Sequence, residues 1–248
     1  MKKYKLTTET LQFAGRTLHR IKAVKDFDSI KAGEFGGWIE NEKNLSQDDN
    51  AWIYGDAMVF DNAKIFGNAE VYGNANVSGN ANVSDYAKVY GNANVFGNAK
   101  IFGNAEVYGN ANVFGYAEVY GNANVFGYAE VYGNANVSDY ANVSGNAEVY
   151  GNANVSDYAK VYGNAAIKGD AKVHDAVDYI VFKNFWSSGR YFTWTSSNNK
   201  WSVGCFYGTG EELIKKAYAD SEKSGREYER VVRYVESILA DEKKEKSN

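Results

Sequence analysis

The amino-acid sequence predicts a mainly β protein built around a triangular parallel β-helix of about seven coils. Three observations lead to this fold class. A six-residue unit, typified by Ala-Glu-Val-Tyr-Gly-Asn at residues 105–110, repeats twenty-one times without insertion or deletion. Alanine occupies every sixth position from Ala51 to Ala171, and valine or isoleucine every sixth position from Ile53 to Val173. The 248-residue chain has no proline, which would remove a backbone donor from stacked strands.

Each repeat predicts one short strand and one corner. The alanine and the branched residue are two positions apart, so both point to the same side of a strand and fill the axis. Gly-Asn or Asp-Tyr follows, and such pairs suit a turn that needs positive φ. Three repeats then close one coil. Seven coils at a strand spacing of ~4.8 Å predict a prism roughly 34 Å long.

Residues 1–50 are predicted to form a β hairpin and an N-terminal cap. The hairpin runs through residues 11–13 and 17–24, with Ala14-Gly15 as its turn. When the repeat is extended upstream by counting, Ile39 and Leu45 fall on the alanine positions. This pattern indicates a degraded first coil that covers the open end of the solenoid, where strand edges would otherwise be unpaired.

Residues 177–248 are predicted to form a small α+β domain of three strands and two helices, which leaves residues 51–176 for the β-helix. Two capping boxes, Thr209 with Glu212 and Ser224 with Glu227, mark the starts of the helices. Alternating and aromatic-rich runs separated by turn residues mark the strands. The predicted strands are residues 179–185, 191–195 and 201–206.

The ends of the chain carry a resemblance to a known family. The motifs are GGWIE at residues 36–40, NAWIYGDA at 50–57, FWSSGRYFTW at 185–194 and GTGEELI at 208–214. In these the chain resembles hexapeptide-repeat proteins that are widespread in bacteriophage and prophage genomes. The resemblance implies a left-handed parallel β-helix, a phage context and action inside a bacterial host. It brings no established activity, catalytic residue or cofactor.

Composition restricts the partners of the protein. Residues 48–176 contain fourteen acidic and six basic residues, whereas the two flanks together carry a net charge of +4. An acidic solenoid argues against direct nucleic-acid binding, although an acidic DNA mimic stays open as an alternative. A single cysteine excludes an internal disulfide and fits a reducing compartment. Without a membrane-length apolar run or a secretory leader, we expect a cytoplasmic protein with no membrane partner.

Few residues suggest catalysis. The chain has two histidines, His19 and His174, in separate predicted modules, so they cannot supply the three ligands of a catalytic zinc site. Cys205 falls in a predicted strand without a nearby histidine, and we expect it to be a small buried residue. We therefore predict neither a catalytic residue nor a metal or cofactor. Many proteins of this fold are acyltransferases, so our second functional hypothesis is that the protein is an acyl- or nucleotidyltransferase.

Two surface features are candidates for binding. Ser187, Ser188 and Arg190 in a predicted turn offer hydroxyls and a guanidinium to an anion, and Thr209 begins a helix whose first N–H groups are free. These four residues form a candidate anion or ligand site, for example for a small nucleotide signal.

The second feature is a column of outward aromatic residues eighteen positions apart. Such a patch is larger than monomers usually expose, and it predicts a homo-oligomer, either a dimer or a trimer. We read the protein as a non-catalytic scaffold that binds a host protein or nucleotide and counters bacterial defence. The longest column consists of Tyr54, Tyr72, Tyr90, Tyr108 and Phe126.

Overall fold

The computed structural model describes residues 2–245, which form a β-solenoid of about eight turns with a cap at each end. Strands β1 (Tyr4–Phe13), β2 (Arg16–Ala23) and β3 (Phe35–Ile39) come first. The short strands β4 to β24 follow, one per repeat, from Trp52–Ile53 to Lys172–Val173. No helix in the described residues is long and apolar enough to cross a membrane.

The solenoid has three faces, and each face is a parallel sheet. Strand β10 (Lys88–Val89), for example, lies between β7 (Glu70–Val71) and β13 (Glu106–Val107), so partners are eighteen residues apart. The alanine and the branched residue of every repeat are at most 1% exposed. This confirms that the two periodic positions fill the axis, where packing is close and each methyl group is in contact.

The corners explain the preference for glycine and aspartate. Gly133 has φ +73°, and a Cβ on it would lie 3.0 Å from the backbone N and O of Gly151 in the next coil. Asp61 also has a positive φ of 58°, but its carboxylate accepts a hydrogen bond from the N–H of Gly79 at 3.2 Å. An aspartate corner is therefore compensated by a contact to the following coil, which alanine cannot make.

The hydrogen bonds between coils give the solenoid a direction. In each coil, many N–H groups donate to carbonyls of the next: Trp52 to Ala69 at 3.0 Å, Tyr54 to Val71 at 2.8 Å, and so on along the chain. Within the strands, return bonds run the other way, as parallel pairing requires, so carbonyl groups predominate at the N-terminal end and N–H groups at the C-terminal end. Buried backbone groups of both kinds need partners, so each end requires a different cap.

The N-terminal cap supplies donors. The Lys3 Nζ, which is only 1% exposed, donates to the carbonyls of Asp49 and Ala51 at 2.9 and 2.8 Å. The hydroxyl of Tyr4 donates to the carbonyl of Leu45 at 2.8 Å. On the third face, β2 pairs antiparallel with β3 and covers the remaining edge.

The first coil is present, but the predicted assignment of its residues to repeat positions is wrong. Ile39 pairs with Val59, and Leu45 pairs with Ile65, so both occupy branched-residue positions and not alanine positions. The shift arises because eight residues separate Leu45 from Ile53 where the repeat has six. Gly37 takes an alanine position, since a Cβ there would lie 2.6 Å from the carbonyl oxygen of Ala57.

The C-terminal cap supplies acceptors. The backbone N–H of Ala166 donates to Thr193 Oγ1 at 2.9 Å, that of Lys172 to Ser197 Oγ at 2.7 Å, and that of His174 to Asp178 Oδ2 at 2.7 Å. Three side-chain oxygens thus take the place of the carbonyls that a ninth coil would offer. Polar residues of the C-terminal region thus pair the backbone N–H groups at the end of the solenoid.

The C-terminal region has four antiparallel strands, and three were predicted. The strands are β25 (Tyr179–Lys183), β26 (Tyr191–Thr195), β27 (Lys200–Val203) and β28 (Phe206–Gly208). The predicted strand at 201–206 is divided by a turn at Gly204, which has φ +57°. Cys205 lies in this turn and is exposed, so the expectation that it is buried in a strand is wrong.

Two helices, α1 (Gly210–Asp220) and α2 (Glu222–Glu245), pack against this sheet. The capping box of Thr209 and Glu212 is confirmed, since each side chain bonds the other residue's backbone N–H. The second predicted box is wrong because α2 begins before Ser224. The hydroxyl of Ser221 instead accepts the N–H of Ser224 at 3.1 Å.

Candidate functional site

The predicted aromatic column is a continuous row on one face of the solenoid, here called the ladder face (Tyr54, Tyr72, Tyr90, Tyr108 and Phe126). The centroids of the last four rings are 4.6, 4.8 and 4.9 Å apart, and neighbouring planes are within 5° of parallel. Tyr54 differs, because it meets Tyr72 edge-on at 6.4 Å and packs against the core under the N-terminal region. The open part of the ladder face is therefore four rings long.

Charged residues run beside these rings. Lys88 forms an ion pair with Glu70 at 3.3 Å, and the hydroxyl of Tyr90 donates to Glu106 at 2.8 Å. Burial raises the pKa of the Tyr90 hydroxyl, and the bond to Glu106 adds to this effect. The ladder face thus combines a neutral aromatic ridge with a row in which acidic and basic residues alternate.

A second face carries an equally regular row that the sequence analysis did not select. Phe96, Phe114, Tyr132 and Tyr150 stack with centroids 4.7 to 4.8 Å apart. Lys168 ends this row, with its Nζ 5.0 Å from the ring centroid of Tyr150. The sequence places these rings in one column but does not show how they stack, so the length of each column is its only guide to which face is an interface.

The corners add exposed tyrosines that sequence reasoning also missed. Each replaces the asparagine of the corner pair and is more than half exposed. Tyr140 and Tyr158 stack on each other at 5.3 Å. The sequence shows these tyrosines as Gly-Tyr or Asp-Tyr pairs at corners where most repeats have Gly-Asn. The residues are Tyr86, Tyr116, Tyr128, Tyr140 and Tyr158.

The structure brings together only part of the predicted anion site. Ser187, Ser188 and Arg190 share the loop between β25 and β26, but the serine hydroxyls already have partners. Ser187 Oγ accepts from the Asn184 amide at 2.7 Å, and Ser188 Oγ accepts from the Tyr228 hydroxyl at 3.0 Å.

Thr209 does not join this loop. Its hydroxyl accepts the N–H of Glu212 at the start of α1. Arg190, by contrast, borders the space beside Lys216 and Asp220, close to the end of α1. Of the four predicted residues, Arg190 alone combines a charge with a place in a cleft.

Arg190 also borders a separate cleft, here called the end cleft, between the last coils and the C-terminal sheet. Its volume is about 310 Å³. Glu148 and Tyr150 line it from the solenoid, and Arg190, Thr193 and Ser202 line it from the C-terminal region. Sequence reasoning could not find this site because its two halves are some forty residues apart and only the docking of the sheet brings them together.

The end cleft contains opposite charges and an unpaired hydroxyl. Burial raises the pKa of the Glu148 carboxyl, and Glu130 in the preceding coil adds to the shift, while Lys168 opposes it. Within residues 2–245, Arg190 has no carboxylate within 4.0 Å. Ser202 is 5% exposed, and its Oγ has no hydrogen-bond partner.

The two histidines lie at opposite ends of the solenoid. His19 is in β2, opposite Ile39. His174 follows the last strand, and its Nδ1 is 2.8 Å from Ser156 Oγ and 2.9 Å from Asp157 Oδ2. A serine–histidine–carboxylate triad needs the two partners on different ring nitrogens, so this arrangement is a polar cluster at the end of the rod.

The residues that the structure describes contain no group of three or more histidine, cysteine, aspartate or glutamate side chains placed to hold a metal. No protein-family model matches the chain. An Escherichia coli (strain K12) protein named uncharacterized acetyltransferase YdcK is 39% identical to it over 62 residues, 22% of this chain. The chain covers 19% of the length of that relative. The protein is thus a β-solenoid with a distant, partial similarity to a protein named as an acetyltransferase.

Proposed function

We propose that this protein is a non-catalytic scaffold that self-associates through the ladder face and presents its two ends to a target. The observation that carries the proposal is the row of four stacked rings from Tyr72 to Phe126 on a flat sheet. Aromatic side chains on a rigid surface give a large contact area with little loss of conformational entropy, and they are enriched in protein interfaces.

A second copy of the same chain is the partner that fits this surface. Along the face, Glu70, Lys88 and Glu106 follow one another in consecutive coils. Two parallel copies in register would place like charges side by side. An antiparallel dimer with its two-fold axis between the levels of Tyr90 and Tyr108 brings all four open rings into the interface and places Lys88 of one copy opposite Glu106 of the other, which favours this arrangement.

Resemblance of the chain ends to phage-encoded proteins supports a role inside an infected bacterium. The rod has nearly constant geometry, whereas the ends differ in sequence and shape, so we assign target recognition to the ends. The target is a host defence protein or its nucleotide signal. Pull-down from host lysate followed by mass spectrometry tests this assignment, and repeated failure to recover either would overturn it.

Light scattering coupled to size exclusion tests the self-association. We expect a dimer of the 27.4 kDa chain. The double variant Tyr90→Ser, Tyr108→Ser should be a monomer with an unchanged circular dichroism spectrum, because serine occupies the same repeat position at Ser78 and Ser144. The matched control, Phe114→Ser with Tyr132→Ser on the second row, should stay dimeric. A monomeric wild type at high micromolar concentration would refute the interface.

An acyl- or nucleotidyltransferase is the second candidate, and the partial similarity to YdcK is what favours it. Under this hypothesis a histidine acts as the base, and His174 is the better candidate because its side chain is about half exposed. The test is turnover of acetyl-CoA or a nucleoside triphosphate by wild type, His19→Ala and His174→Ala. Turnover that one of these changes abolishes would replace the scaffold proposal.

A further inference from the structure

We infer that the end cleft binds a small zwitterionic ligand, with the anionic group of the ligand at Arg190 and a hydrogen-bond donor of the ligand at Glu148. The cleft lies on a different face from the ladder face, and the inference does not depend on self-association.

Space at the cleft comes from one departure from the repeat. The position between the alanine and the branched residue points outward and holds a larger side chain in every repeat but one. The exception is Ala166 in β23 (Ala166–Ile167), the strand that pairs with β20 (Glu148–Val149). A side chain of ordinary length at residue 166 would occupy the room beside Glu148, so the small residue keeps the cleft open.

Arg190 is the anion-binding end. A guanidinium prefers a carboxylate or phosphate held by two parallel hydrogen bonds, and in the described part of the chain Arg190 lacks such a partner. Its side chain passes close to the turn at Gly204, where an added Cβ would lie 3.6 Å from Arg190 Cδ. The guanidinium carbon lies against the same turn, 4.0 Å from that Cβ, so the side chain is held against the C-terminal sheet at the edge of the cleft that it lines.

Glu148 and Ser202 give the remaining polar contacts. Glu148 is an acceptor at the solenoid side; the Tyr132 hydroxyl already bonds its carboxyl, and an ammonium or amide of the ligand would add a further contact. Ser202 is buried without a partner, whereas the neighbouring Thr193 hydroxyl is committed to the N–H of Ala166. A buried hydroxyl left unpaired destabilises the protein, so a ligand that bonds Ser202 recovers part of that loss.

The ligand is small and does not stack on Tyr150. Tyr150 is the aromatic residue beside Glu148, and both of its faces are occupied: Tyr132 stacks at 4.7 Å on one, and Lys168 Nζ lies 5.0 Å from the centroid on the other. A flat nucleobase therefore has no open face on Tyr150, and the other ring that lines the cleft, Tyr191, has Lys183 Nζ 5.2 Å from its centroid. The volume of about 310 Å³ suits a ligand of the size of an amino acid or a phosphorylated amino alcohol.

Isothermal titration of the full chain tests the inference with O-phosphoethanolamine and β-alanine as zwitterions. Phosphate alone, ethanolamine alone and AMP are the comparison probes. We expect a zwitterion to bind at least about tenfold more tightly than phosphate or ethanolamine. Arg190→Gln and Glu148→Gln should each weaken that binding about tenfold or more, and Ser202→Ala should weaken it less.

Arg230→Gln on the exposed side of α2 is the matched control and should bind as wild type does. Equal affinity for phosphate and O-phosphoethanolamine, tighter binding of AMP, or no binding of any zwitterion would each overturn the inference. Wild-type affinity in the correctly folded Arg190→Gln variant would do the same. Light scattering of the same samples reports self-association independently, so failure of one proposal is distinguishable from failure of the other.

Discussion

Replacement of Lys3 by methionine should change how stability depends on pH. Lys3 is buried and donates to two carbonyls at the N-terminal end of the solenoid. Burial lowers the pKa of its ammonium from 10.5 to about 8, although Asp49 at 3.6 Å opposes this shift. The charged form is therefore less favourable in the folded protein than in the unfolded chain.

The sign and size of the effect follow from proton linkage. Between pH 8 and pH 10.5 the unfolded chain holds the Lys3 proton and the folded protein has released it, so the free energy of unfolding rises with pH. At 1.36 kcal/mol per pKa unit, the full rise is about 3 kcal/mol. Tyrosines act in the opposite direction at higher pH. Burial raises the pKa of Tyr54 to about 12, so its contribution is lost as the pH rises from 10 towards 12.

Denaturant unfolding of wild type and Lys3→Met at several pH values between 7 and 10 measures the effect. The difference between the two free energies should grow with pH in favour of wild type, while neutral Lys3 still donates to the carbonyls. Lys5→Met, two residues along the chain in β1 but exposed, should follow the wild-type profile. Parallel profiles for wild type and Lys3→Met would refute the argument that a charged ammonium is buried at this end.

Three further predictions concern the rod and its other end. Gly133→Ala should lower the free energy of unfolding by about 1–2 kcal/mol, because Gly133 has a positive φ and Gly151 of the next coil lies close to it. Gly133→Asp should lower the free energy of unfolding less. Equal losses in chemical denaturation would contradict the compensation at aspartate corners. Thr193→Val leaves the N–H of Ala166 unpaired and should lower the free energy of unfolding by about 1–3 kcal/mol. Amide exchange at Ala166 should also become faster, whereas Thr193→Ser should resemble wild type in both measurements. Deletion of residues 97–114 removes one whole coil, keeps Tyr72, Tyr90 and Phe126 in line, and should preserve both folding and dimerisation. Deletion of residues 67–78 should preserve folding but bring Ser84 and Ser138 to the levels of Tyr72 and Phe126, which shortens the open row to two rings. Circular dichroism melting and light scattering separate the two, and a dimeric twelve-residue deletion would count against the ladder face.

The repeat made most of the fold predictable, because every residue of a coil meets its equivalent in the next one. Sequence reasoning failed where that equivalence ends. The two extra residues before Ala51 shifted Ile39 and Leu45, and counting alone cannot locate an insertion. The strand at 201–206 looked continuous because apolar residues lie on both sides of Gly204, which is a weak turn signal by itself.

The end cleft was beyond sequence reasoning for a different reason. Arg190 was selected for its charge, but its companions in the prediction were neighbours in sequence. Glu148 and Ser202 come from other elements, and their burial depends on how the C-terminal sheet docks on the last coil. A single sequence contains no direct measure of that docking.

The directional hydrogen bonding of the coils also determines whether the rod can grow. A bare N-terminal end, rich in free carbonyls, and a bare C-terminal end, rich in free N–H groups, would pair as two successive coils do, and joining them head to tail leaves the same two ends open again. Such an interface never closes and produces a filament of unlimited length. Lys3 and Tyr4 at one end, and Thr193, Ser197 and Asp178 at the other, occupy those groups and so keep the solenoid a particle of defined size.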